Sequence, residues 1–135
     1  MGLVSCNEGN QEQADSILRQ CLILDKKKIR LMEGLSKSNA DYTAAELEKL
    51  GKEYEKLVLS LPAFSGKPSK KAKQEYIEGL RGLKRRYDSI PKYRIKEMEE
   101  IAENHPHLSI AVSKVSSVGN RLIRKAGITE SDVTP

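Results

Sequence analysis

Tryptophan is absent from these 135 residues, phenylalanine occurs once and histidine twice. With aromatics at only 4%, the core must be aliphatic with a few tyrosines, and no exposed aromatic platform for stacking single-stranded bases is expected. The two histidines, His105 and His107, flank Pro106. With no other histidine, no nucleophile–base pair can be named, and the chain does not read as an enzyme. Without a nearby cysteine or a clear carboxylate partner, the His-Pro-His segment reads as structural punctuation and not as a metal site. Glycines stand singly or as Gly79-x-x-Gly82 and form no phosphate-cradling loop, so no cofactor is expected. Two cysteines, Cys6 and Cys21, are too few for a disulfide framework and point to a reducing compartment or a silent pair. The longest uninterrupted apolar run is Cys21 to Leu24, which excludes a membrane-spanning helix.

Charge is abundant: Asp, Glu, Lys and Arg make up 32% of the chain, with a net charge of +5. The excess is local. Ser65 to Lys96 holds eleven Lys and Arg against three acids, Met1 to Phe64 nine against ten, and Glu97 to Pro135 four against six. One near-continuous basic segment in an otherwise balanced chain points to a polyanionic partner.

Apolar residues recur at helical spacing throughout, and no strand alternation or internal repeat is present. Ile17, Leu18, Cys21, Leu22, Leu24, Ile29, Met32 and Leu35 predict a helix from about Gln13 to Leu35, its pattern interrupted by Lys26, Lys27, Lys28 and Arg30. Ser36 to Asp41 reads as a loop. Thr43 and Glu46 have capping-box spacing, and Leu47, Leu50, Tyr54, Leu57, Val58 and Leu61 form the stripe of a second helix that Pro62 ends. Ala63 to Lys67 is a turn, and Pro68 or Ser69 opens a third helix with Ala72, Tyr76, Leu80, Leu83 and Tyr87 on one face. Gly79 and Gly82 inside that helix imply a close helix contact or a bend. Pro91 begins a short acidic helix with Ile95, Met98, Ile101 and Ala102 inward. Pro106 begins a last one carrying Leu108, Ala111, Val112, Val115, Val118, Leu122 and Ile123, ended by Ala126-Gly127. The expectation is an all-α single domain, a bundle of about five helices over residues 13–127, with flexible tails at 1–12 and 128–135.

Lys70, Lys73, Arg81, Lys84 and Arg85 fall on the third helix opposite its apolar face, and Arg86 adjoins them. Such a row neutralises phosphates and releases counterions, which makes double-stranded DNA the expected partner. A helix-turn-helix is a further candidate in Thr43 to Gly51, although its spacing is long for that motif. The N-terminus supports an alternative: Gly2 has the position needed for myristoylation, and Cys6 could take a second acyl chain. Leu3-Val4-Ser5-Cys6 also resembles a lipoprotein lipobox, a motif that needs a charged and then an apolar stretch ahead of it, more than five residues supply. On that alternative the chain is a membrane-anchored bundle whose basic face meets anionic headgroups or whose surface binds another protein.

Tyr54-x-x-Leu57-x-x-x-Leu61, Gly66-x-x-Ser69 opening a helix with Tyr76, the segment His105-Pro106-His107-Leu108-Ser109-Ile110-Ala111 and the closing Ala126-Gly127-Ile128-Thr129 together resemble a family of phage terminase small subunits over residues 43–129. The resemblance implies a ring-forming homo-oligomer in the host cytoplasm that recognises viral DNA and hands it to a large packaging subunit.

Overall fold

The computed structural model describes residues 2–61 and 68–129, with side chains from residue 11 onward. Five helices make an all-α bundle: α1 (Gly2–Glu33), α2 (Ala40–Ser60), α3 (Lys70–Asp88), α4 (Lys92–Glu103) and α5 (Pro106–Lys125). Among the described residues no helix is long and apolar enough to cross a membrane. The expected turn at Ala63 to Lys67 and the stop at Pro62 lie outside the described residues, as does the tail from residue 130.

Helices α1, α2, α3 and α5 run up, down, up and down, and α4 crosses the top. The register is fixed by polar contacts and by small residues. At the bottom, Asp15 of α1 accepts from the Ser69 backbone N–H (2.7 Å) and from its hydroxyl (2.8 Å), while the same hydroxyl accepts from the Ala72 N–H and caps α3. Higher up, Gly79 lets α3 close on Leu22, and at the top Arg86 of α3 makes a two-pronged ion pair with Glu33. The expected close contact is therefore at Gly79, whereas nothing lies within 4 Å of a Cβ placed at Gly82. On the other flank α2 and α5 form the most extensive interface, running parallel with Gly51 beside Val115, Tyr54 beside Gly119, and Glu55 paired with Arg121. The order around the bundle is thus α3, α1, α2, α5, with the weakest contact where α5 returns to α3.

The apolar stripes predicted for α2 and α5 supply much of the core, which Ile17, Leu18, Cys21 and Leu24 of α1 help to fill, while Val112 and Ile123 are only partly buried. Leu47, Leu50, Tyr54, Leu57, Val58 and Leu61 from α2 meet Leu108, Ala111, Val115, Val118 and Leu122 from α5, all buried. Each large aliphatic side chain removed from water contributes about 1.5–3 kcal/mol, which outweighs the modest propensities of the valines. Helix α5 ends as the sequence indicates: Gly127 takes φ 80°, the Gly127 N–H donates to Arg124 O (3.0 Å) and the Ile128 N–H to Ile123 O (2.9 Å). That turn drives Ile128 into the core, so the packed region continues past Gly127.

Three local readings are corrected. Helix α1 starts at Gly2, not near Gln13, so the backbone from residue 2 to 12 is helical. Thr43 is not a cap. Helix α2 begins a turn earlier, at Ala40, because Ala40 and Thr43 are both buried (1% and 2% exposed) and Thr43 donates its N–H to Asn39 O (2.8 Å). Asn39 instead ties the preceding loop, accepting from the Ser36 N–H and donating to Gly34 O, and Glu46 pairs with Lys49. Thr43 to Gly51 is one uninterrupted helix, so it contains no helix-turn-helix.

Candidate functional site

The basic residues of α3 divide by what they touch. At 100° per residue, Lys73, Lys84, Lys70, Arg81 and Arg85 fall within an arc of about 120° that excludes Glu75 and Glu78 and holds one acid, Asp88, in the last turn. Lys70, Lys84 and Arg85 are exposed, and Arg81 is partly buried. Lys73 is partly buried with its ammonium beside Gly127, where it faces the carbonyl end of α5. Arg86 points away from this arc and is committed to Glu33 (2.7 and 2.8 Å). The structure therefore brings five of the six predicted cations to one side and assigns the sixth to holding α3 on α1.

Helix α5 is basic as well, although Lys114 and Arg121 lie on its α2 side and Arg121 is paired with Glu55. It carries Lys114, Arg121, Arg124 and Lys125 and no acid at all. Averaging over Glu97 to Pro135 concealed this, because the acids of that block lie in α4 and beyond residue 129. Two tyrosines are also exposed, Tyr42 (64%) and Tyr93 (75%), contrary to the expectation of none, but they stand on α2 and α4, away from the α3 arc.

A second polar cluster lies inside the bundle, beneath the seam between α3 and α5. Asp25 of α1 accepts hydrogen bonds from the Tyr54 hydroxyl on its Oδ1 and from the Tyr76 hydroxyl on its Oδ2 (2.8 Å). Cys21 lies one turn below, its Sγ 3.3 Å from the Tyr76 hydroxyl and 3.9 Å from Asp25 Oδ2. Burial pushes the Asp25 carboxyl up from its ordinary value, against the two tyrosine donors that favour the carboxylate. Burial and the nearby Asp25 raise both tyrosine hydroxyls and the Cys21 thiol, so Cys21 is a protonated, unreactive thiol.

One turn above Asp25, Lys28 reaches across to α5 and donates to Ser116 Oγ (3.0 Å). Burial lowers its pKa, partly offset by the attraction of Asp25. These groups form the floor of a cleft of about 460 Å³ whose walls are Leu80 of α3 and Gly119, Asn120 and Ile123 of α5. The sequence reading registered Lys28 only as a break in an apolar pattern. The available signal was that Cys21, Asp25 and Lys28 stand at i, i+4 and i+7 on one stripe.

The remaining candidates are placed as follows. His105 is held by Ile101 O (2.8 Å) at the turn into α5, and among the described residues no group of three metal-ligating side chains converges. Gly2 is the first residue of α1, and the Cys6 side chain lies outside the described ones. No family model, no curated protein and no solved structure matches the chain.

Proposed function

We propose that the chain is a non-enzymatic, double-stranded-DNA-binding subunit that acts as a homo-oligomer, in the manner of the terminase small subunits its sequence resembles. The observation that carries this reading is the basic arc on α3, five cations against the single acid Asp88, on the side of the helix away from Ala72, Tyr76 and Leu83. A rigid helix bearing exposed Lys70, Lys84 and Arg85 suits a phosphate backbone, and such contacts are independent of sequence and sensitive to salt. Exposed Ile23, Leu59 and Ile110 give apolar surface outside this arc for contacts between copies.

Fluorescence anisotropy of a labelled duplex across a salt series tests it. Three to five phosphate contacts give log K against log salt a slope of about −3 to −5. Lys84→Glu with Arg85→Glu should abolish binding. A wild-type protein that leaves the duplex free at low salt would refute the reading.

A further inference from the structure

The cleft between α3 and α5 has a composition that the DNA-binding surface does not use. Its floor is Lys28, a partly buried ammonium with three donors, and among the described residues it donates to Ser116 Oγ and enters no ion pair. Asp25, three residues before it, attracts it but is not its hydrogen-bond partner; the Asp25 oxygens accept from Tyr54 and Tyr76. A cation taken partly out of water with two donors unspent is stabilised by an anion that enters from the open side. Ser116 and Asn120 stand one turn apart on α5 and line the same cleft, the Ser116 hydroxyl in contact with the ammonium. Beyond them the walls are apolar: Leu80 on α3, Val115 and Ile123 on α5. The volume, about 460 Å³, lies within the range of roughly 300–1,000 Å³ usual for small-molecule sites. Asp25 is the one acid in the lining, held by two tyrosine hydroxyls and favoured by burial in its neutral form; α5 carries no acid, and Lys84 stands one turn beyond Leu80 on α3.

We propose that this cleft binds a small amphiphilic anion, a monocarboxylate on a short apolar chain. Its charged end is held by Lys28, Ser116 and Asn120, and its chain lies against Leu80, Val115 and Ile123. The site is independent of the α3 arc, so it stands whether or not the protein binds DNA.

The test uses the full chain and the fluorescent sulfonate 8-anilinonaphthalene-1-sulfonate as reporter. Saturable binding at one site per chain is expected, displaced by octanoate and at least tenfold less effectively by octanol or octylammonium, which share the apolar chain and differ in head-group charge. Lys28→Met, which keeps the length of the side chain, should weaken the reporter and octanoate at least tenfold. Ile123→Trp should block the cleft while leaving Lys28 in place, and Lys84→Glu/Arg85→Glu should retain octanoate binding within a few-fold. Circular dichroism establishes that each variant is folded. Absence of saturable binding, displacement by octylammonium as effective as by octanoate, or an unchanged affinity in folded Lys28→Met would each overturn the proposal. The head-group comparison is made on the wild type and so is decisive even if a variant fails to fold.

Discussion

Gly79 and Gly82 lie three residues apart in α3 and provide a matched experiment on what holds α3 against α1. Replacing either by alanine restores helix propensity worth about 0.8–1 kcal/mol. At Gly82 nothing lies within 4 Å of the new Cβ, so that gain should appear in full. At Gly79 the Cβ would sit 2.6 and 2.8 Å from the two Leu22 Cδ atoms and 3.2 Å from Leu22 Cγ. The methyl ends of Leu22 can swing away, but the close Cγ means that the whole side chain must change rotamer or the helices must part, an overpacking cost of about 1–3 kcal/mol. Gly79→Ala should therefore be between neutral and about 2 kcal/mol destabilised, and about 1–3 kcal/mol less stable than Gly82→Ala. Urea unfolding followed by circular dichroism at 222 nm measures the difference, which corresponds to roughly 3–5 °C in Tm per kcal/mol for a chain of this size. Trimming the obstacle should reverse the sign: in a Leu22→Ala background, Gly79→Ala should become stabilising, a coupling that a double-mutant cycle reads directly. Equal stabilisation by the two glycine substitutions would refute the close approach of α3 to α1.

The carboxyl of Asp25 is raised above its ordinary value of 3.8 by burial, so its neutral form favours the fold. Wild-type stability should therefore rise relative to Asp25→Asn as pH falls through the folded value, with the gain complete below about 3.8, in paired denaturation curves from pH 7 to 3. Tyr76→Phe and Tyr54→Phe should each cost about 1–3 kcal/mol by removing a hydrogen bond to the buried carboxyl, with the pair non-additive because they share it. Arg94 donates to the last carbonyl of α1, Glu33 O (3.0 Å), and to Leu35 O in the loop that follows, and Arg94→Met should lower stability by about 1–2 kcal/mol in the same unfolding assay. In the duplex-binding assay Arg86→Ala should weaken affinity less than Arg85→Ala, since Arg86 is spent on Glu33.

What the sequence makes legible is what a single helix decides for itself. The stripe from Leu47 to Leu61, the opening of α3 at Pro68 or Ser69 and the Ala126-Gly127 stop depend on residues within a turn or two of one another, and the structure has each of them, with Ser69 as the cap. The start of α2 was misread because Asn39 and Thr43 are both plausible caps. The choice is made by the burial of Ala40 and Thr43, a tertiary event. The interior cluster was invisible for a stronger reason. Tyr54 and Tyr76 come from positions 29 and 51 residues beyond Asp25, and only the packing order of α3, α1 and α2 makes one carboxylate their common acceptor. The basic arc was legible because it needs one helix alone.

The largest interface joins α2 to α5, segments separated in sequence by α3 and α4. A nascent chain can form the α1–α2 hairpin early, but the other side of α2 stays wet until α5 has been synthesised and Ile128 has closed its end. Folding of the bundle is thus delayed until α5 has been made, and products that terminate before Val115 should leave Leu47, Leu50 and Tyr54 uncovered, ready substrates for chaperones or proteases.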